Sequence, residues 1–326
     1  MSRDRYNVTG SLGSGQFGTV HRATHADLGR EVALKVLELR HPDHRGYLLA
    51  EGRRMAQLRQ HPNIVQVLDS GDWDEEHVYL AVELCDGGSL EALCAAGPVD
   101  AQRACRLISD ASRGLHDLHL QGMLHLDVRP ANILLSNNVP KLSDFGLARS
   151  SDNARPGSVY APHAAPELHT LGTGSELSDQ YAMAMTLGHL LTAGIYCGGP
   201  IPDPVTEKSW KGRPDPTALG LHIPDRLRRV LKKATAFDPA KRYADVEAFK
   251  HDLDRATPCV AFLPDGEGTW ASVDGCYRIT WSSKAGTHVV EFLANGRRRS
   301  AEGLSATGES AARSHVRKLV QSIAYG

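Results

Sequence analysis

No two cysteines in this chain are spaced C-x-x-C, so neither a zinc ribbon nor a dithiol redox motif is signalled. Six cysteines in 326 residues, at 85, 94, 105, 197, 259 and 276, are too sparse for a disulfide scaffold. Reduced thiols in a cytoplasm are the simpler expectation. The opening Met1-Ser-Arg-Asp-Arg-Tyr6 has no apolar run behind its charges, so no secretory leader is signalled. The longest apolar stretch, 181–195, is broken by Thr, Gly and His, which argues against a membrane span. A surplus of charge is missing as well. Lys and Arg number 37 against 38 Asp and Glu, a net charge of −1, so the chain is not built to grip nucleic acid over its whole surface. What remains is 41% apolar and 23% charged, ordinary globular usage, with no fixed-period repeat and no low-complexity tract. The expectation is a soluble cytoplasmic protein.

Organisation changes twice along the chain. Residues 1–84 read as strands with one helix: strands at 6–12 and 19–24 flank a Gly-rich turn, and 31–39 is an apolar run. Residues 47–59 have helical spacing. Strands follow at 64–68 and 77–84, with Ser70-Gly71-Asp72 as the turn between them. Residues 85–256 are mainly helical. The segment 101–120 places Leu107, Ile108, Ala111, Leu115 and Leu118 on one face, and 227–236 and 246–255 are further helices. Five prolines in 198–220 make that stretch loop.

A boundary falls at 257–268, and residues 257–326 read as a small α+β domain. Four short strands are expected at 269–273, 276–282, 287–293 and 297–301. Asp274-Gly275 and Asn295-Gly296 are hairpin signals, since both residues must tolerate positive φ. Tyr277, Ile279 and Trp281 share one strand face, as do Val290 and Phe292. Thr307 is the expected cap of a last helix, with Glu309 in its first turn and Ala312, Val316, Leu319, Val320 and Ile323 on its apolar side.

The chemistry-bearing residues lie in the first two regions. Gly13-Ser-Gly15-Gln-Phe-Gly18-Thr-Val20 lets backbone pass close to phosphates. In dinucleotide-binding folds a helix follows such glycines; here a β-rich segment follows, which favours a phosphate-covering hairpin. Val32-Ala33-Leu34-Lys35 puts an ammonium in a strand, where it needs an anion, and Glu51 sixteen residues on can supply a carboxylate. His125-Leu126-Asp127-Val-Arg129-Pro-Ala-Asn132 follows the long helix, and Asp144-Phe-Gly146 and Ala165-Pro-Glu167 come after it. Phosphoryl transfer needs a carboxylate near the attacking hydroxyl and oxygen ligands for magnesium, which Asn132 and Asp144 supply.

Together these motifs resemble the eukaryotic-type protein kinase family, over about three quarters of the chain from Tyr6 to Arg255. His61-Pro-Asn-Ile-Val65, the Gly87-Gly88 hinge and Ser178-Asp179 before an apolar helix add to it. Phe237-Asp-Pro-Ala-Lys-Arg242-Tyr is especially similar to bacterial Ser/Thr kinases. The resemblance implies a two-lobed fold, a β-rich N-lobe and a mainly helical C-lobe, with ATP in the cleft. Gly13, Gly15, Gly18 and Val20 would cover the phosphates, with Ala33 beside the nucleotide. Lys35, held by Glu51, would reach the α- and β-phosphates. Val82 would be the gatekeeper, and Glu83 and Cys85 would meet the adenine edge through their backbone. Asp127 would orient the substrate hydroxyl, Arg129 would lie near the γ-phosphate, and Asn132 and Asp144 would hold Mg2+ (or Mn2+). Glu167 would pair with Arg242. The expected activity is transfer of phosphate to Ser/Thr hydroxyls of protein substrates, with autophosphorylation; the alternative is a pseudokinase scaffold.

The chain departs from the family pattern at Leu126, where Arg usually precedes the catalytic Asp and receives an activation-loop phosphate. Basal activity is therefore expected not to depend on phosphate at Ser150, Ser151, Ser158 or Tyr160. Arg129 stands where Ser/Thr kinases usually have Lys, and His163 where an aromatic is frequent. The sixteen histidines are scattered, and His119 and His125 read as structural, as do the four tryptophans. Arg297, Arg298 and Arg299, with Arg313, Arg317 and Lys318, form a candidate basic face. From residue 257 onward, eight basic residues against six acidic ones is too small a surplus to signal nucleic acid. The last domain is therefore assigned to partner or substrate recognition.

Overall fold

The structure is a computed structural model that describes residues 2–15, 18–39, 45–46, 49, 60–144, 149–150 and 160–326. Two compact units emerge, Met1–Gly88 with Leu134–Ser143, and Ser89–Ile133 with Asp144–Gly326.

In the first unit, β1 (Tyr6–Gly15), β2 (Gly18–His25), β3 (Glu31–Glu38), β4 (Val67–Asp72) and β5 (His77–Glu83) form an antiparallel sheet in the order β1-β2-β3-β5-β4. In β3, Val32, Leu34 and Val36 alternate into a core with Tyr6, Ala23, Tyr79 and Ala81. Under this sheet Asp69 accepts the hydroxyls of Tyr79 at 2.7 Å and Tyr6 at 3.1 Å. Burial pushes the Tyr79 phenol up to about 12, with the Asp69 contact next in weight.

The Gly-rich segment is the expected hairpin, but its strands run further than 6–12 and 19–24. Its glycines belong to the strands themselves, Gly13 opposite Val20 and Gly15 opposite Gly18, with a bulge between Ser11 and Gly13. Two other expectations fail here. Ser70, Gly71 and Asp72 are not a turn, but the end of β4. The reversal falls at 73–76, where Asp74 Oδ1 accepts the Glu76 amide at 3.0 Å and bonds His77 Nδ1 at 2.7 Å. The strand expected at 64–68 begins only at Val67, and Ile64 instead bridges Leu142. The helix expected at 47–59 lies outside the described residues apart from Leu49.

The second unit holds β6 (Met123–Leu124) paired with β9 (Arg149–Ser150), and most of the helices: α1 (Leu90–Cys94), α2 (Ala101–Leu120), α3 (Pro166–Leu171), α4 (Glu176–Thr192), α5 (Asp225–Ala234) and α6 (Val246–Ala256). Between β6 and β9 the chain runs through β7 (Ile133–Ser136) and β8 (Val139–Leu142), which pair as a ribbon largely in the first unit. Helix α2 has the span its periodicity predicts. Asp100 caps it by accepting the Arg103 amide at 2.8 Å, and Gly122 at φ 70° turns the chain away after its end. Ser175 and Ser178 cap α4 reciprocally. Arg242 binds both carboxylate oxygens of Glu167, at 2.6 and 2.7 Å, and donates to the carbonyls of Leu177, Ala236 and Phe237. A buried guanidinium satisfied this fully ties α3 to the segment before α6.

Residues from Phe262 on form a second sheet, which belongs to the same compact unit. Its strands are β10 (Phe262–Pro264), β11 (Thr269–Ser272), β12 (Tyr277–Lys284), β13 (Thr287–Ala294), β14 (Arg297–Arg298) and β15 (Leu304–Ala306), followed by α7 (Glu309–Tyr325). The meander is real but has six strands, not four. β10 lies inside the expected linker, and β15 pairs with β13 beside the short β14. The strand expected at 297–301 shrinks to two residues before a 3-10 turn at Ser300–Glu302. Asn295 and Gly296, at φ 50° and 72°, make the expected hairpin; at 274–275 only Gly275 is left-handed, while Asp274 accepts from Ser272 and Cys276. A hairpin at Ala285-Gly286 was not signalled. Gly308, not Thr307, is the cap position of α7, and no side chain caps that end. Ile279, Val290, Phe292, Ala312, Val316, Leu319 and Val320 close the core, flanked by Tyr277, Trp281 and Ile323.

This core continues into the helical part. Leu221 joins it, Gln321 Oε1 accepts the Asp225 amide at 3.1 Å, Cys259 N donates to Ala324 O at 2.8 Å, and the Arg226 guanidinium lies 4.3 Å over the Tyr325 ring. Sharing apolar burial with its neighbour relieves a small domain of the need for a large core of its own.

Candidate active site

In the first unit, the nucleotide candidates collect on one face of the sheet. Residues paired across strands share a face. Register places Val20 opposite Lys35 across β2 and β3, and Ala33, two residues from Lys35, opposite Val82 across β3 and β5. Lys35 alternates with the core residues Leu34 and Val36, so it stands on the face away from the core, half-buried. Gly18 sits so close under β3 that a Cβ there would strike the Val36 carbonyl, so any other residue pushes β2 off its partner. Glu83 ends β5, and its carboxylate accepts the Gln66 amide at 2.7 Å and Lys141 Nζ at 2.9 Å. This fixes the backbone that leads to Cys85, whose thiol burial pushes up to about 11. Glu51, Phe145 and Gly146 lie outside the described residues.

In the second unit the loop after β6 carries Asp127. Asn132 Nδ2 donates to the Asp127 carbonyl at 2.9 Å and to its Oδ2 at 2.7 Å. Arg129 Nε lies 3.6 Å from the same Oδ2, and its guanidinium stacks 4.7 Å over the Tyr160 ring. Burial holds the Asp127 carboxyl above the usual carboxylate range, opposed by Arg129, His125 and Asn132. Asp144, exposed and at φ 57°, adds a like charge that raises it further. With its amide nitrogen committed to Asp127, Asn132 has its side-chain oxygen left for a hard cation, the donor type Asp144 also offers.

The loop is held from beneath by a residue that the sequence marks only as part of Ser178-Asp179. Asp179 is 1% exposed. Its carboxylate accepts the amides of His125 and Leu126, both at 2.8 Å, and bonds His119 Nε2 at 2.9 Å. Leu126 can therefore take the left-handed φ of 64°, which a leucine otherwise avoids. An acid opening an apolar helix, where charge has no solvent to meet, is the signal that finds such an anchor.

Against known proteins, the family described as protein kinase domain matches residues 6–253. The chain therefore belongs to the protein kinase family, and its relatives place it in the bacterial serine/threonine type. PknL of Mycobacterium tuberculosis, a serine/threonine-protein kinase, is 32% identical over 261 residues, 77% of this chain and 65% of PknL. PknB of Mycolicibacterium smegmatis is 32% identical over 268 residues, covering 77% of this chain and 43% of PknB. PrkC of Bacillus subtilis is 29% identical over 266 residues, 77% and 40%. The chain thus spans between two fifths and two thirds of these relatives' lengths. None of the described helices is long and apolar enough to cross a membrane.

Proposed function

We propose that the chain transfers the γ-phosphoryl group of ATP, with Mg2+ (or Mn2+), to Ser/Thr hydroxyls of cytoplasmic protein substrates and to itself. The observation that carries this is the half-buried Asp127, its carboxylate aimed by Asn132 and Arg129. Its raised pKa suits a group that accepts a proton from a hydroxyl. Asn132 and Asp144 would hold the metal, whose charge offsets that of the phosphates. Gly13, Gly15, Gly18, Val20, Ala33 and Val82 would line the nucleotide, Lys35 with Glu51 would hold its phosphates, and Glu83 and Cys85 would meet the adenine. The reaction moves one phosphoryl group; the hydroxyl proton passes towards Asp127, and ADP leaves.

Residues 257–326 carry none of these parts, and we assign them to partner or substrate recognition. Their α7 flanks a 620 Å³ groove that gathers Arg313, Arg317 and Lys318 beside Asp225; Arg297, Arg298 and Arg299 do not line it. The test is incorporation of label from γ-labelled ATP into a Ser/Thr protein, wild type against Asp144→Ala. Label on wild type alone supports the reading; equal label on both overturns it in favour of a scaffold without chemistry.

A further inference from the structure

Among the described residues, one group of side chains has the geometry of a soft-metal site, and it lies outside the phosphoryl-transfer loop. His163 precedes α3, His189 is in the last turn of α4, and Cys197 ends the short 3-10 turn that follows. Their donor atoms form a triangle. His163 Nε2 is 3.3 Å from His189 Nδ1 and 3.3 Å from Cys197 Sγ, and Cys197 Sγ is 3.7 Å from His189 Nδ1. Zinc–nitrogen and zinc–sulfur bonds at tetrahedral angles require edges of about 3.3 Å between nitrogens and about 3.6 Å between nitrogen and sulfur. The observed triangle lies within about 0.3 Å of these edges, a shift that side-chain rotation covers without movement of the backbone.

The hydrogen bonds around it also present the right lone pair. The Thr186 hydroxyl donates to Ala182 O at 2.9 Å, so it can only accept from His163 Nδ1, 3.3 Å away. The Val128 carbonyl also acts as a backbone partner of this imidazole. The ring proton therefore sits on Nδ1, and Nε2 faces the triangle as a free base, the outer-sphere arrangement of metal-bound histidines. His163 and Cys197 are 2% and 5% exposed, while His189 is half-buried and leaves a way in. The charges that act on the three side chains are Glu91 on His189, Arg129 on His163 and Arg213 on Cys197, and the Arg213 guanidinium favours the thiolate that a metal needs.

We propose that His163, His189 and Cys197 bind a divalent late transition metal, zinc above all, with a fourth position for water. Nitrogen and sulfur donors separate it from the oxygen donors Asn132 and Asp144, which suit magnesium. Binding replaces the Cys197 S–H bond with a metal–thiolate bond and releases one proton to solvent; no oxidation occurs. The metal would tie the segment before α3 to both ends of the α4–turn corner. That is a covalent-strength brace for a kinase whose phosphate-receiving arginine is replaced by Leu126.

Cobalt(II) titration of the chelator-treated full chain tests this. Wild type, and the control Cys259→Ser, should take up a single cobalt ion per chain with a thiolate-to-cobalt charge-transfer band, displaced by zinc. Cys197→Ser should lose the band, and His189→Gln should lose tight binding, each with a folded circular dichroism spectrum. Thr186→Val, which keeps all three ligands, should weaken binding about 10-fold or more. If Cys197→Ser does not fold, the Thr186→Val affinity decides. A folded wild type without the band, a band undiminished in folded Cys197→Ser, or unchanged affinity in Thr186→Val overturns the proposal. The readout is metal binding, so it stands or falls apart from phosphoryl transfer.

Discussion

The loop around Asp127 and the module at 257–326 are held by opposite means within one compact unit. The loop hangs on polar hubs. One carboxylate, Asp179, satisfies two backbone amides and a histidine, and Asn132 bridges the carbonyl and carboxylate of Asp127. The module hangs on apolar burial, with Ile279, Val290, Phe292 and Val316 interleaved between sheet and helix, and its ion pairs, such as Arg298–Glu291 at 2.8 Å, on the surface. A polar hub fixes atoms to the geometry chemistry needs and fails badly when one partner goes; an apolar core tolerates change in proportion to the volume lost.

That contrast orders the expected effects of substitution. Asp127→Asn should lower the rate of phosphoryl transfer about 10²–10⁴-fold, read by steady-state kinetics. The same variant should melt higher than wild type at pH 7. The folded-state pKa of Asp127 is raised, so the ionised carboxylate costs stability at neutral pH. This advantage should shrink as pH falls through the raised pKa and vanish below about 3.9, where the unfolded chain also binds the proton. A variant no more stable than wild type at pH 7 contradicts the burial argument.

Asp179→Ala, which strands the amides of His125 and Leu126, should cost about 3 kcal/mol in denaturant unfolding and most of the activity. If unfolding shows less than about 1 kcal/mol, the hub is not what holds the loop. In the module, Ile279→Val removes one methylene from a fully buried side chain and should cost about 0.5–1.5 kcal/mol, with the kinase rate on a generic substrate unchanged. Arg298→Ala, at an exposed pair, should change stability by no more than about 0.5 kcal/mol; a larger loss would mean that surface charge helps hold the module.

What could be read in advance follows the same division. The residues proposed for phosphoryl transfer cluster in short stretches with fixed residue types, so Lys35, Asp127, Asn132 and Asp144 stand out of the sequence. Helix α2 was legible to the residue because Asp100 and Gly122 mark its ends and its apolar face repeats through five turns. Strand β4 was misplaced because Ser70-Gly71-Asp72 has turn chemistry, yet pairing with β5 overrides that local preference. β10 and β15 are three residues each, too short to show alternation, and exist because β11 and β13 offer them an edge. The triangle of His163, His189 and Cys197 was invisible because its members sit 26 and 8 residues apart, and only the fold around α4 brings them together.

Leu126 limits how this loop can be redesigned. It is 4% exposed and packs against Leu124, and a side chain at Gly174 would run into its Cδ2 atom. Placing an arginine at 126 would bury a guanidinium where leucine now packs. Position 174 is already glycine, so no substitution there can open more room. A phosphate receptor at 126 would therefore cost the packing of the loop itself, which one substitution cannot supply.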